Sequence, residues 1–276
     1  MMNDWMKVIG GMVLFLILFF ALGQIPRGMA SVSSKEIMAP DEDFIETAFG
    51  INMKMMYVEG GEFLMGGTPE QGEDAYDDEK PIHKVALDAY YIGAFEVTQG
   101  QWEKVMGTNP SYFTKGEDYP VERVSWEDAQ AFCRELSRKT GRKYSLPTEA
   151  QWEYAARGGK KNESTKYSGS SSIDSVGWYC DNTNQGTYPV GQKHPNALGI
   201  YDMSGNVREW CQDWYGENYY ADSPLTNPTG PSTGFERVMR GGSWFFNARS
   251  CRVSQRGYTN PNLHIALNGF RLCLIP

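Results

Sequence analysis

Five cysteines (Cys133, Cys180, Cys211, Cys251 and Cys273) and three histidines (His83, His194 and His264) hold the sulfur and imidazole that redox, nucleophilic or metal chemistry would use. The cysteines are too widely spaced for a CxxC zinc or redox motif. Their odd number leaves at least one unpaired or joined to another chain. In an oxidising compartment one disulfide is open to them, and the sequence singles out no pairing. The histidines fall in three separate regions with no ligand-spaced pair. That scarcity argues against a histidine-built metal centre and against a Ser-His-Asp triad.

The elements that would position such groups begin after a distinct leader. Lys7 precedes an apolar run from Val8 to Leu22, too short for a comfortable membrane span but suited to a signal h-region, and Gly28-Met29-Ala30 offers small residues for cleavage. Residues 1–30 are therefore expected to be a signal peptide, or an uncleaved anchor, that exports the rest to the periplasm, the cell surface or the medium. No cysteine near the leader could carry a lipid. Residues 31–54 are expected to be a linker, Ser- and acid-rich through Asp43, and residues 55–276 a single domain. At 41% hydrophobic residues the domain can bury a core, and its many glycines, prolines and aromatics suggest loops pinned by large rings. A formal charge of −8 with no Lys/Arg run argues against a nucleic-acid partner.

Within the domain, Met55–Val58 and Glu62–Met65 read as short strands around Gly60-Gly61, followed by an acidic loop over Glu70–Lys80 and a strand-like stretch from Val85 to Phe95. Three capping boxes start helices: Thr98 with Gln101, Ser125 with Asp128, and Thr148 with Gln151. In the second helix, Trp126, Ala129, Cys133 and Leu136 form one apolar stripe that Glu127, Arg134, Glu135 and Arg138 avoid. In the third, Trp152, Ala155 and Ala156 form the apolar side. Beyond Gly158 the pattern thins to hydrophilic loop and turns with isolated aromatics, closing on Gly269-Phe270-Arg271-Leu272-Cys273-Leu274, whose alternation predicts a strand.

Six ordered words run through the domain: Gly61-Glu62-Phe63-Leu64-Met65-Gly66; Glu96-Val97-Thr98-Gln99 with Gln101-Trp102; Pro120-Val121-Glu122-Arg123-Val124-Ser125-Trp126; Leu146-Pro147-Thr148-Glu149-Ala150-Gln151-Trp152-Glu153; Gly205-Asn206-Val207-Arg208-Glu209-Trp210; and Arg240-Gly241-Gly242-Ser243-Trp244, before the closing Gly269-Phe270-Arg271. Over residues 55–276 this series resembles the formylglycine-generating enzyme, or sulfatase-modifying factor, family. The resemblance implies an α+β, loop-rich, C-type-lectin-like fold. The fold alone does not fix the activity, since it carries oxidases, iron enzymes and pure binders.

The family's copper oxidases use two thiolates, three and eight residues after the serine of the Gly-Gly-Ser word. Counted from Ser243, the second position is Cys251 and the first is Phe246. One thiolate and a phenyl ring cannot make a linear bis-thiolate Cu(I) site, so copper is not expected, and Ser243 and Cys251 would be catalytic only in an oxidase. Cys273 could complete the pair only by leaving the terminal strand. An iron-dependent relative would need clustered histidines, which this chain lacks. Structural calcium is expected instead. By the family's calcium loop, Asp202 and Glu209 would give side-chain oxygens, and Gly205 and Val207 backbone carbonyls, a hard-oxygen set suited to Ca²⁺. Arg208 replaces the aromatic residue usual at its position.

The C-terminus is also similar to the variable proteins of diversity-generating retroelements. A frame of Gly241-Gly242-Ser243-Trp244, Ala248-Arg249, Cys251-Arg252, Arg256, Pro261 and Gly269-Phe270-Arg271 alternates with Phe245, Phe246, Ser250, residues 257–260 and residues 262–268. Adenine-directed mutation of Asn codons cannot give Lys, Glu, Gln, Met or Trp, and none occurs at the intervening positions. The ligand surface is thus expected at Phe245, Phe246, Ser250, Tyr258, Thr259, Asn260, Asn262, Leu263, His264, Ile265 and Leu267. Phe245, Phe246, Tyr258, Leu263, Ile265 and Leu267 would form an apolar patch within it. The reading is an exported, non-catalytic protein that binds a protein or glycan ligand, touching a membrane only through an uncleaved leader. The alternatives are a formylglycine-generating oxidase and a structural component of an envelope complex.

Overall fold

The structure, a computed structural model, describes residues 41–276; the expected leader and the first part of the linker lie outside the described residues. The strands are β1 (Phe44–Glu46), β2 (Met53–Val58), β3 (Gly61–Met65), β4 (His83–Leu87), β5 (Tyr90–Gly93), β6 (Tyr144–Ser145), β7 (Arg208–Trp214), β8 (Arg237–Arg240), β9 (Gly257–Thr259), β10 (Asn268–Gly269) and β11 (Cys273–Leu274). The helices are α1 (Gln99–Met106), α2 (Trp126–Thr140), α3 (Glu149–Ala156), α4 (Ile173–Val176) and α5 (Tyr219–Asp222). Three sheets result, in the orders β1-β2-β5-β11-β6, β10-β7-β8-β9 and β3-β4.

Strand periodicity divides the first sheet between two cores. Met56 and Val58 of β2 and Tyr90 and Ile92 of β5 pack against α3 and the β3–β4 hairpin. Met53, Met55, Tyr91 and Leu274 point the other way, onto α1 and α2. The helix starts form as the sequence predicts. Thr98, Ser125 and Thr148 each accept from the backbone N–H three residues on, and Gln101, Asp128 and Gln151 each return a side-chain contact to the cap. Gly107 and Gly141 close α1 and α2 in left-handed conformation.

Two expectations change, and α3 is buried beyond its apolar side. The linker does not extend to residue 54: Phe44–Glu46 pairs antiparallel with Met53–Met55, and Ile51 is fully buried. The acidic Glu46 is held in that strand by Arg142 and by the Tyr144 hydroxyl, 2.6 Å away. Helix α3 has no solvent face, since Glu149 and Glu153 are as buried as Trp152 and Ala155. The terminal run does not form one strand: Asn268–Gly269 pairs with β7, and Cys273–Leu274 with β5 and β6. Between them the chain crosses from one sheet to the other. Phe270 and Leu272 enter the core, and Arg271 enters a buried ion pair.

Candidate functional site

Four buried arginines fasten the C-terminal segment to the rest of the domain. Arg252 meets Glu79 at 2.9 and 2.5 Å, Arg256 meets Glu149 at 2.8 and 3.0 Å, and Arg271 meets Glu209 at 2.6 Å through both oxygens. Arg240 pairs with Glu153 and donates to the carbonyls of Ser254 and Val253. Such forked pairs fix geometry as well as charge. Gly242, at φ 70°, turns the chain where a Cβ would lie 2.5 Å from Cys251 Sγ.

On that frame every position expected to bind ligand reaches the surface. Phe245, Tyr258, Asn260, Asn262, Leu263 and His264 are exposed; Phe246, Ser250, Thr259, Ile265 and Leu267 are half-buried, and none belongs to the core. The frame residues Gly241, Gly242, Ser243, Cys251, Arg252, Arg256 and Gly269–Arg271 are buried, whereas Trp244, Ala248 and Pro261 are half-buried and Arg249 exposed.

The expected apolar patch is not one surface. Phe245, 61% exposed, belongs to a chain of edge-to-face rings running Tyr112, Phe113, Trp244, Phe245, Phe246, with centroids 5.0–6.0 Å apart. Tyr258 instead stacks on Tyr215 at 4.0 Å, by a hollow lined with Phe235 and Glu236. His264 Nε2 lies 2.8 Å from Asp128 at the start of α2. A cleft of about 500 Å³ opens beside Phe245, lined by Tyr112, Phe113, Cys180, Thr183, Gln185 and Trp244. The sequence reading missed Tyr112 and Phe113. Their signal was an adjacent aromatic pair in a polar turn, Asn109-Pro110-Ser111.

The residues of an oxidase are less well placed. Ser243 and Cys251 are fully buried, with Ser243 Oγ accepting from the Phe245 amide at 3.3 Å. Burial pushes the Cys251 thiol up to about 12, so it holds its proton at neutral pH. Cys273 is locked between β5 and β6. The cysteine whose backbone meets this segment is Cys180, its amide donating to Phe246 O at 3.0 Å. All five cysteines are free thiols, and among the described residues no three His, Cys, Asp or Glu side chains converge as a metal centre. His83, His194 and His264 stay apart: His83 Nδ1 lies 3.1 Å from Pro81 O, the His194 amide donates to Ser175 O, and His264 meets Asp128.

The segment 202–209, expected to hold calcium, has a strained backbone. Asp202 and Asn206 lie at φ 57° and Gly205 at φ 106°, where a Cβ would sit 2.2 Å from Trp178 O. Asp202 Oδ2 accepts from Gly191 N at 2.7 Å, while the buried Oδ1 has no partner. Glu209 Oε2 accepts from Arg271 and from Trp152 Nε1, both at 2.6 Å; Oε1 accepts only from Arg271 and keeps a free lone pair. Glu96 adds a third buried carboxylate, accepting from Asn206 and Val207. Three carboxylates thus face one guanidinium. Burial, helped by the like charge of Glu209, raises Asp202 to about 6; burial, then Asp202 and Glu209, drives Glu96 well upward. These carboxylates do not converge as a ready-made cluster among the described residues, and the orphaned Asp202 Oδ1 is the oxygen that a hard divalent cation would take.

A family model described as the sulfatase-modifying factor enzyme 1-like domain matches residues 43–274. The chaperone protein LppX of Paenibacillus barcinonensis is 36% identical over 258 residues, covering 75% of this chain and 84% of its own. The formylglycine-generating enzyme of Streptomyces coelicolor is 32% identical over 279 residues, covering 77% and 86% respectively. Among solved structures, Treponema denticola variable protein 1 aligns with a TM-score of 0.78 at 32% identity, over 85% of this chain and 99% of that one. This chain, with its α+β, C-type-lectin-like fold, therefore belongs to the sulfatase-modifying factor enzyme 1-like family.

Proposed function

We propose that this domain is a non-catalytic ligand-binding protein whose C-terminal loops form the recognition surface, exported by its N-terminal segment and open to diversification by a retroelement. One observation carries the reading: all eleven expected ligand positions lie outside the core, while Gly241, Gly242, Gly269 and the carboxylate-paired Arg252, Arg256 and Arg271 of the frame are buried. Likeness over nearly the whole of a solved variable protein supports the same division. An exposed aromatic ridge beside a cleft suits a protein or glycan ligand, since rings contribute large contact area at small entropic cost.

Two observations at the thiols weigh against the oxidase alternative. Phe246 occupies the first thiolate position, and the Cys251 thiol is buried and protonated. Incubated with copper, oxygen and a sulfatase-type cysteine peptide, the purified domain is expected to leave the peptide unchanged by mass. Formylglycine product at appreciable turnover would overturn the reading.

Calcium belongs to the same proposal, held by Asp202 Oδ1, Glu209 Oε1 and the carbonyls of Gly205 and Val207. It would offset the carboxylate excess and brace the turn beneath Trp244, whose amide bonds Asn206 O at 2.8 Å. Binding to the folded state alone adds about 2.7 kcal/mol at a hundredfold excess over Kd. The melting temperature is therefore expected to rise in Ca²⁺ relative to chelator, and Asp202→Ala is expected to abolish the difference. Identical melting of wild type in both conditions, with calorimetry showing no bound calcium, would remove the site.

A further inference from the structure

Arg208 stands apart from the arginines of the frame. No carboxylate among the described residues lies within salt-bridge distance of its guanidinium. Its one side-chain hydrogen bond runs from Nη2 to Met239 Sδ at 3.3 Å, and a thioether is a weak acceptor. Its Nε is buried with no partner, while the residue as a whole keeps some solvent exposure. The guanidinium lies over the Phe246 ring, 5.3 Å from the centroid. Asn268, its register partner on the adjacent parallel strand, is fully buried, with both side-chain Nδ2 and Oδ1 unpartnered. Paired residues of neighbouring strands share a face, so the fork and the amide belong to one spot beneath the C-terminal loops.

Burying an unpaired cation and an unpaired amide together is costly, and it contrasts with Arg240, Arg252, Arg256 and Arg271, each of which meets a buried carboxylate. A ligand carboxylate would remove that cost. The guanidinium fork matches a planar carboxylate through two parallel hydrogen bonds, and the Phe246 face would wall the group from water.

We propose that Arg208, with Asn268 behind it and Phe246 beside it, forms a carboxylate-binding subsite of the ligand surface. The inference rests on the binding reading above and specifies its ligand class: the recognised molecule presents a carboxylate flanked by apolar or aromatic surface. Arg208 positions that group, and the loop residues around it read the rest.

Benzoate and its neutral isostere benzamide test this, titrated into the domain and read by calorimetry in wild type and variants alike, with the Nε–H resonance of Arg208 as a second readout in wild type. Benzoate is expected to shift that resonance saturably, and benzamide to bind about tenfold more weakly or not at all. Arg208→Met should lose benzoate binding while melting no lower than wild type, because it removes an unpaired charge and keeps the contact with Met239. Arg208→Lys, which retains charge without the fork, should weaken binding without abolishing it, and decides the matter if the methionine variant does not fold. Equal affinity for benzoate and benzamide, or benzoate binding unchanged in both variants, would overturn the subsite. That outcome is distinguishable from failure of the binding reading, which the folding of loop variants tests independently of Arg208.

Discussion

Arg252→Met is expected to lower the unfolding free energy by about 3–5 kcal/mol, measured by urea denaturation. The variant leaves Glu79, fully buried, without the guanidinium that meets both of its oxygens. Burial alone would push the Glu79 carboxyl up; the hydrogen bonds and charge of Arg252 outweigh it and hold the group below its ordinary value. Without Arg252, Ser254 Oγ is the buried side-chain partner left, at 2.6 Å. Either the carboxylate stays charged and unpaired, or it takes up a proton on folding; both cost stability at neutral pH. The double variant Arg252→Met with Glu79→Gln should recover part of the loss, since the uncompensated charge is then gone. A loss below about 1 kcal/mol in the single variant would show that the pair does not anchor the segment.

Phe270→Ala is expected to cost about 3–5 kcal/mol. Phe270 is fully buried where the chain crosses between the sheets, edge-to-face with Phe132 at 5.5 Å and with Trp102 at 6.0 Å. Removing it opens a cavity between α1 and α2 that two other rings cannot collapse to fill. Phe245, the same residue type on the same C-terminal segment, is exposed, and its alanine variant should cost no more than about 0.5–1 kcal/mol. Thermal or urea unfolding of the two variants side by side checks the contrast.

What could be read from the sequence follows the range of each interaction. The capping boxes were legible because Thr98–Gln101, Ser125–Asp128 and Thr148–Gln151 act over three residues. The stripe of α2 was legible for the same reason, and Trp126, Ala129, Cys133 and Leu136 are all buried. The ion-pair frame was not: Glu79 and Arg252 are 173 residues apart, Glu149 and Arg256 107, Glu209 and Arg271 62. For that reason the burial of Glu149 and Glu153 could not be read from α3 itself, and Glu209 read as a calcium ligand without its guanidinium partner. Strand β1 was missed because three residues, one of them acidic, show no usable alternation. The ligand positions were legible as gaps between frame residues. Their division between the Phe245 ridge and the Tyr215–Tyr258 stack depends on partners elsewhere in the chain.

The central claim is that the eleven ligand positions between Phe245 and Leu267 form a surface whose details the scaffold does not need. It is tested most directly by randomising Phe245, Phe246, Ser250, Tyr258, Thr259, Asn260, Asn262, Leu263, His264, Ile265 and Leu267 together and measuring the fraction of displayed clones that resist protease as wild type does. Tolerance at surface positions predicts that most clones stay resistant, with losses limited to those that place Pro in β9 or crowd the half-buried Phe246, Ile265 and Leu267. If resistant clones instead fall to the small fraction left by randomising as many buried positions, these side chains are structural and the binding reading fails.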